Sequence, residues 1–503
     1  MKNILNIIVL MLLFFSACTK DENVFSYDDS SFLEISDEVV DEIQVRQGEI
    51  LKLSPKFDDA KGDYSYLWFS WRNNSAIGYR GDRDTLSREK ELEAEIKSSY
   101  YIVGEPYKLT FKVTDNSTGV SSYFFYDLKI TNVYSEGWII LQEVNGEADF
   151  SMILPSDEVI HNIYSSINPE HPIAEPLQVS LSSGAITDDV FPTGRKFYIA
   201  GKHDAIELDA LTLQKRQNFD LLFFQPPPRV DLSFVGWSGT SLGVIINEGL
   251  LSTNFVGGFP GAKKFGLYMQ DPGNSYAYSM APFVANVGDY DWRAHPMVYQ
   301  HIMYDQQNKR FYNVTGESLS TFPSNASNPA IFDMNDVGLN MKYMAPSYIS
   351  NSHNAIMYDN SDVFLLQFTS LTTEGNSVIT QSKRSMSAPH ILEVSPSSIA
   401  SSTLSGHLFY GYGNTLYSYA INSNFSSEVH TFSSDEEIIN VKFREIKGSA
   451  DGSGQLLLAT WNGAESKIYE FTVLPSGSIA KSEDAPVKAG FARVKDMIYK
   501  SVN

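Results

Sequence analysis

The sequence predicts a mainly β protein with two folded regions in tandem. Aromatic residues make up 13% of the chain, with 31 Phe and 28 Tyr, and this composition favours strands. Segments of alternating apolar and polar residues recur along the chain and are separated by Gly, Asn and Asp turns, as expected of strands joined by hairpins. Only residues 87–98, SREKELEAEIKS, have a charge pattern typical of a helix, and we expect an exposed helical insertion there.

Residues 36–133 are predicted to form a β-sandwich of immunoglobulin-like size. Strand-like segments in this region include YSYLWFSWR and YKLTFKVTD, and residues 107–113 alternate between the two faces of a strand. About 100 residues with turn signals, such as those at 115–119, fit this architecture. Trp68 is the expected core tryptophan.

An apolar strand, a polar turn and a second apolar or aromatic strand recur seven times in residues 134–503. The spacing of about 50 residues is close to the length of one four-stranded propeller blade. The repeats therefore predict a seven-bladed β-propeller, and a large sandwich or a pair of β-domains is the alternative. The seven hairpins span 138–154, 196–213, 241–255, 301–316, 353–368, 407–422 and 455–474.

Residues 1–17 have the layout of a secretory signal peptide. A positively charged start is followed by an apolar segment of about 12 residues. This segment is too short for a membrane-spanning helix, which needs roughly 20 residues. Small residues then precede Cys18, the only cysteine of the 503-residue chain. The acidic, polar segment 18–35 is expected to be a tether.

The charge balance excludes one class of partner. The chain carries 60 acidic and 38 basic residues, a net charge of −22. Such a chain lacks the positive surface that neutralises nucleic-acid phosphates, so we expect no nucleic-acid partner. It would not adhere electrostatically to an anionic lipid surface either.

No motif in the sequence identifies a reaction. The nine histidines have no zinc-ligand spacing, and phosphate-binding glycine loops and nucleophile elbows are missing from the sequence. We therefore expect no cofactor, no metal and no catalytic residue. Carboxylate pairs for glycoside hydrolysis cannot be recognised from sequence, so a hydrolase stays open as the alternative.

Three histidines occupy corresponding places in the repeats. His301, His353 and His407 each begin a predicted strand. A ligand-binding interpretation would gather them on one rim of the propeller, whereas packing at strand edges is the expected role because their spacing alone does not make them converge.

Aromatic residues at 288–293, GDYDWR, are the candidates for ligand binding. This stretch lies where the repeat pattern is least regular, and loops of that kind carry recognition residues. Tyr290 and Trp292 offer rings that stack on sugars or clamp peptide side chains, and Arg293 offers hydrogen-bond donors. The alternative is that Trp292 anchors the loop on its own sheet.

The residues around Cys18 resemble a bacterial lipobox. Phe-Ser-Ala-Cys at 15–18 has the two small residues of that motif, with Phe15 where Leu is usual. The following Cys-Thr-Lys-Asp-Glu resembles the signal that directs Bacteroidetes lipoproteins to the outer face of the outer membrane; a simple solvated tether is the alternative. The resemblance implies lipidation of Cys18 with fatty acyl chains such as palmitate and an outer-membrane anchor facing the cell exterior.

The succession YSYLWFSW and LTFKVTDNSTGVSSYFFYDLKI resembles PKD-like domains. With the lipobox, the acidic tether and the long β region that GWIILQEVNG opens at 137–146, the whole order resembles the PKD-like surface lipoproteins of Bacteroidetes. That resemblance implies a non-catalytic accessory subunit of an importer of oligosaccharides or peptides, with a SusC-type TonB-dependent transporter and a SusD-type lipoprotein as partners. A surface hydrolase that trims substrate before import and a purely structural subunit are the alternatives.

Overall fold

The computed structural model describes twelve stretches of the chain. The predicted signal peptide, the tether and Cys18 lie outside these described residues. The chain divides into two compact units, Met1–Asn132 and Val133–Asn503. The described stretches are 42–56, 62–74, 79–97, 99–182, 195–238, 242–255, 264–286, 295, 297–315, 318–444, 454–480 and 487–501.

The described part of the first unit consists of seven strands in two sheets. The larger sheet has the order β1-β7-β6-β3-β4, and the smaller sheet pairs β2 with β5. All neighbours are antiparallel except β1 and β7, which run parallel. The strands are β1 Glu42–Arg46, β2 Ile50–Leu53, β3 Tyr64–Asn74, β4 Tyr79–Ser87, β5 Leu92–Glu95, β6 Pro106–Asp115 and β7 Ser121–Thr131.

Trp68 lies at the centre of the sandwich core, which confirms its predicted role. Its side chain is fully buried and stacks on Phe111 with ring centroids 4.3 Å apart. The indole N–H donates to the carbonyl of Lys90 at 3.2 Å, so the buried donor is satisfied. Buried side chains of both sheets surround this pair.

The predicted helix at 87–98 is wrong. Part of this segment forms strand β5, which pairs with β2. Leu92 and Ile96 are buried while Glu93 and Glu95 point to solvent, so the apolar period is 2 and not 3.6. Cross-strand pairing with Lys52, whose Nζ lies 2.8 Å from Glu93 Oε1, suits the charges that had suggested a helix.

The described part of the second unit is almost entirely strands. One short helix, α1 Ile163–Ile167, is present, and among the described residues of the chain no helix is long and apolar enough to cross a membrane. The first strands are β8 Gly137–Val144, β9 Glu147–Ile153, β10 Val159–Ile160, β11 Pro176–Leu181, β12 Lys196–Gly201, β13 Ala205–Asp209, β14 Lys215–Asn218, β15 Leu232–Ser238, β16 Leu242–Asn247 and β17 Leu250–Phe255.

The remaining strands continue the same pattern of short antiparallel segments. They are β18 Ala285–Asn286, β19 His301–Asp305, β20 Arg310–Thr315, β21 Ser318–Ser320, β22 Asn340–Pro346, β23 Ser352–Tyr358, β24 Val363–Thr369, β25 Thr380–Ser385, β26 Ile399–Ser401, β27 His407–Tyr412, β28 Thr415–Ala420, β29 Phe425–Thr431, β30 Glu437–Phe443, β31 Gln455–Trp461, β32 Ser466–Thr472, β33 Val487–Phe491 and β34 Arg493–Lys500.

These strands form seven successive sheets, counted over the described residues. Six sheets have four strands and one has three. Their strand orders are β10-β9-β8-β34 for sheet 1, β11-β12-β13-β14 for sheet 2, β15-β16-β17 for sheet 3, β18-β19-β20-β21 for sheet 4, β22-β23-β24-β25 for sheet 5, β26-β27-β28-β29 for sheet 6 and β30-β31-β32-β33 for sheet 7.

The seven predicted hairpins are confirmed, because each one coincides with an antiparallel pair of adjacent strands in one sheet. In sheet 1 the pair is β8–β9, joined by the two-residue turn Asn145–Gly146. Both turn residues have positive φ, 55° and 86°. A two-residue hairpin loop requires this backbone, and Asn-Gly adopts it most readily.

The core of the second unit lies between consecutive sheets. Seven clusters of buried apolar residues each combine side chains of two successive sheets. One of them joins sheet 7 to sheet 1, with Leu457 and Phe491 packed against Trp138 and Ile140. Sheet 1 is itself completed by β34, which pairs with β8 in antiparallel register.

Candidate functional site

An open depression of about 540 Å³ lies at one end of sheets 6, 7 and 1. Four segments meet there: the loop before β26, the β27–β28 turn, and the first residues of β30 and of β34. Because β27 runs antiparallel to β26, the end of β27 lies on the side where β26 begins. The fold thus gathers residues that are up to a hundred positions apart in the sequence.

The floor of the depression is apolar and tightly packed. Val394, Ile438 and Val494 line it and are buried. Gly411 of β27 approaches β30 so closely that a Cβ atom at this position would lie 2.2 Å from Cγ2 of Ile438. A larger residue at 411 would therefore push sheets 6 and 7 apart and change the shape of the floor.

Tyr412, which lines the depression, belongs to a pair of stacked rings. The imidazole of His390 stacks on the Tyr412 phenol with centroids 3.9 Å apart and planes 4° from parallel. His390 Nδ1 lies 2.9 Å from Glu393 Oε1. His390 adopts a left-handed backbone conformation, φ 63°, which is uncommon for a residue with a side chain and recurs at binding sites.

The same contacts set the protonation states of Glu393 and Tyr412. The hydrogen bond with His390, and then the bond that the Tyr412 hydroxyl donates, lower the pKa of the Glu393 carboxyl. The bond to Glu393 in turn raises the pKa of Tyr412. At neutral pH Glu393 is therefore a carboxylate that accepts hydrogen bonds, and Tyr412 is a neutral phenol.

Cations also line the depression. Arg493 and Lys495 begin β34 and line the depression together with Glu437 of β30. The Arg493 guanidinium lies 5.9 Å from the ring centroid of Trp461, and Lys495 Nζ lies 2.5 Å from Glu143 Oε2. The depression thus combines hydrogen-bond acceptors, donors and a flat apolar ring surface.

These features suit a polar ligand with one flat apolar face. A sugar or a short peptide can stack on the rings while its hydroxyl or amide groups bond to the carboxylates and the guanidinium. The described residues contain no group of three or more His, Cys, Asp or Glu side chains that would hold a metal ion.

Sequence analysis placed the site elsewhere. The predicted ligand-binding residues Tyr290, Trp292 and Arg293 lie in the segment 287–294, outside the residues that the structure describes. The lipidation site Cys18 also lies outside them.

The three aligned histidines lie in the second strands of sheets 4, 5 and 6, which are β19, β23 and β27. His301 is buried, and burial lowers its pKa to about 4, so the ring is uncharged at neutral pH. His353 is buried and stacks on Phe368, with centroids 5.5 Å apart. His407 Nδ1 lies 3.0 Å from Ser405 Oγ. Strand packing is confirmed for His301 and His353.

Sequence analysis missed His390, Glu393 and Tyr412. Tyr412 directly precedes the Gly413–Asn414 hairpin turn, and an aromatic residue at a hairpin tip was a usable signal. His390 and Glu393 lie in a loop without periodicity, and only the fold shows that this loop approaches the hairpin.

Residues 18–176 match the model of the PKD-like family. The match covers the first unit and extends into the second as far as the start of β11. This agrees with the resemblance that the Trp-bearing strand and the Val-Thr-Asp turn indicate. No curated protein matches the chain.

Several solved structures resemble the chain in fold. A quinonprotein alcohol dehydrogenase-like protein from Bacteroides thetaiotaomicron VPI-5482 has 12% identity and a TM-score of 0.41, covering 93% of this chain and 99% of its own. A DUF4784 family protein from Bacteroides caccae ATCC 43185 has 8% identity and a TM-score of 0.27, with coverages of 91% and 97%. The β-propeller domain of Myceliophteria thermophila Cps50 (Swd1) has 9% identity and a TM-score of 0.31, with coverages of 61% and 88%.

The protein is thus mainly β, with an N-terminal part that matches the PKD-like family.

Proposed function

We propose that this protein is an outer-membrane lipoprotein, anchored through Cys18 and facing the cell exterior, that captures oligosaccharides or peptides for a SusC/SusD-type importer. The observation that carries the ligand-capturing role is the depression, which is lined by Arg493, by an ionised Glu393 and by Tyr412, whose ring stacks on His390. A tethered module of this kind acts by raising the concentration of its ligand near the transporter. The lipobox-like residues before Cys18 support the anchor.

We further propose that the seven sheets of the second unit are the blades of a seven-bladed β-propeller. The apolar cluster between sheets 7 and 1 supports this arrangement, as does the pairing of β34 with β8. In such a ring, the loop before each first strand and the turn between the second and third strands share one face. The depression would then lie on that face.

The importer role predicts stable partners in the outer membrane. A tag placed after Asn503 should recover a TonB-dependent transporter and a SusD-type lipoprotein in stoichiometric amounts from outer membranes extracted in mild detergent, as identified by mass spectrometry. A Cys18→Ser variant should be lost from the membrane fraction, because it lacks the thiol that carries the lipid. Recovery of the chain alone, from extracts in which other importers stay assembled, would rule out the subunit role.

The capturing role predicts that the ring pair contributes to affinity. We expect Tyr412→Ala to weaken binding of the glycan or peptide that the purified protein selects from an array by about tenfold, or about 1.4 kcal/mol, as measured by calorimetry. Tyr276→Ala is the matched control, since Tyr276 is a similarly exposed tyrosine of the same unit. Unchanged affinity in Tyr412→Ala would show that the depression does not bind this ligand.

A surface hydrolase is the second candidate, because two carboxylates, Glu393 and Glu437, line the same depression. The lowered pKa of Glu393 makes it unsuited to the general-acid role, which requires a raised pKa. Glu437 would therefore have to donate the proton. Shortened products after incubation with the selected ligand, and their loss in Glu437→Gln, would establish this function.

A further inference from the structure

The outer face of the large sheet in the first unit exposes aromatic rings. Along β7, alternate residues face the core, as Tyr126 and Leu128 do, so Tyr123 and Phe125 point outward. Their exposed fractions are 48% and 59%. Single exposed apolar side chains are ordinary, but contiguous exposed rings are typical of a binding surface.

The two exposed rings continue into a row of four with Trp71, which is partly buried, and Phe69, which is 5% exposed. Tyr123 and Phe125 have nearly parallel planes, with centroids 6.4 Å apart and an angle of 8°. Phe125 meets Trp71 of β3 edge-on at 6.3 Å, and Trp71 stacks on Phe69 at 5.7 Å. We call Phe69, Trp71, Tyr123 and Phe125 the ring row.

A cation lies at each end of the ring row. Lys112 Nζ is 5.8 Å from the centroid of Tyr123, and the Arg83 guanidinium is 4.9 Å from the centroid of Phe69. Neither is paired with a carboxylate within the described part of the chain. Both therefore hold charge that a ligand can neutralise.

The balance of charge on this face is opposite to that of the chain. Beside the row, Lys108 Nζ lies 2.6 Å from Asp127 Oδ1, and Lys129 and Glu42 lie on the same face next to this pair. Among these described residues the two cations and two carboxylates balance, so the charges of Lys112 and Arg83 remain. The chain as a whole carries a net charge of −22. A locally positive, aromatic face on an acidic protein is complementary to a ligand that is anionic and has flat apolar faces.

We propose that the ring row is a second binding site, for an acidic polysaccharide chain. The apolar faces of its pyranose rings stack on Tyr123 and Phe125, and its carboxylates pair with Lys112 and Arg83. The site lies wholly within the first unit and does not depend on the depression in the second.

The test compares two probes that differ in charge and share their sugar. The full-length protein is titrated with polygalacturonate and with its methyl-esterified form. We expect polygalacturonate to bind, Tyr123→Ala/Phe125→Ala to weaken that binding at least tenfold, and Lys112→Gln to weaken it while flattening its salt dependence. Lys112→Gln should leave binding of the methyl ester unchanged.

Matched controls separate this site from the depression and from folding. Phe425→Ala removes a similarly exposed ring of the second unit, and Tyr412→Ala removes the ring of the depression; neither should alter polygalacturonate binding. Circular dichroism should show the ring-row variants folded, since the two replaced rings are largely exposed.

Four results would overturn the proposal, three of them obtained with polygalacturonate. These three are the absence of polygalacturonate binding, ring-row variants that bind it as tightly as the unaltered protein, and loss of binding only in Tyr412→Ala. The last result would place the polysaccharide in the depression. The proposal would also be overturned if the ring row bound phosphatidylglycerol vesicles but not polygalacturonate. That result would favour a lipid surface as the ligand.

Discussion

Replacing Glu207 with Gln is expected to lower the free energy of unfolding of the second unit by about 3–5 kcal/mol. The Glu207 carboxylate lies in β13 and is only 1% exposed. Its Oε2 lies 3.1 Å from Nζ of Lys196, which is 2% exposed, and accepts a bond from the Tyr198 hydroxyl at 3.1 Å. The Arg216 guanidinium approaches Oε1 at 3.8 Å.

The large effect follows from the buried cations that remain after Glu207 is replaced. The Glu207 carboxylate lies close to two buried cations, and a neutral amide cannot replace its charge. Burial, followed by the charge of Glu207, raises the pKa of Tyr198 well above its usual range, so this phenol is a donor in any folding buffer. Because Tyr198 also stacks on Trp237 of sheet 3 at 5.5 Å, the strain would extend to the contact between sheets 2 and 3.

Urea denaturation followed by tryptophan fluorescence measures this change. The transition midpoint should fall while its slope stays unchanged, because the area exposed on unfolding is the same. Glu158→Gln is the matched control, a substitution of the same atoms at an exposed position, and should shift the midpoint negligibly. Equal midpoints for the two variants would contradict the account of a buried charge cluster.

Sequence alone predicted those parts of the fold that depend on local periodicity. The hairpins follow from alternation and turn residues that lie within about 20 positions, as at Asn145–Gly146. The buried role of Trp68 follows from its place in an apolar strand. The helix predicted at 87–98 was wrong because the acidic and basic residues of this segment mask the two-residue apolar period that Leu92 and Ile96 reveal.

The candidate sites depend on long-range pairing, which sequence does not display. Glu393, Tyr412 and Arg493 line the same depression only because the sheets that contain β27, β30 and β34 adjoin one another. In the ring row, Tyr123 and Phe125 could be read from alternation in β7. The contact of Phe125 with Trp71 requires the register that places β6 between β7 and β3.

Net charge was similarly informative only at the level of the whole chain. A charge of −22 argues against a nucleic-acid surface. It says nothing about the positive face around Lys112 and Arg83, because that face is assembled from four strands. Local electrostatics therefore needs the fold before it can indicate a ligand.

Removing residues 493–503 is expected to abolish cooperative folding of the second unit. This deletion eliminates β34, whose register with β8 extends from Arg493 opposite Glu143 to Lys500 opposite Gly137. Val494 and Met497 are buried in the cluster between sheets 7 and 1. Buried side chains of this size each contribute about 2–5 kcal/mol, so their loss is comparable with the 5–15 kcal/mol that stabilises a typical domain.

Polar contacts of β34 add to this loss. Lys500 is buried and donates to the backbone carbonyls of Tyr134 and Ser135. The Tyr499 ring packs edge-on against Trp138 at 5.5 Å and lies 3.8 Å from the Arg444 guanidinium. Without β34, the carbonyls lose these donors and β8 becomes an unpaired edge strand.

Limited proteolysis with mass spectrometry distinguishes the two units in one experiment. In the truncated protein, fragments of the second unit should disappear rapidly, while the sandwich around Trp68 should persist because it has its own core. A chain lacking only residues 502 and 503 is the control and should resist digestion throughout. If the truncated second unit kept full resistance and a cooperative thermal transition, sheet 7 would be stable without the strand that joins it to sheet 1. The sheets would then be an open array, and the seven-bladed ring that we propose would be refuted.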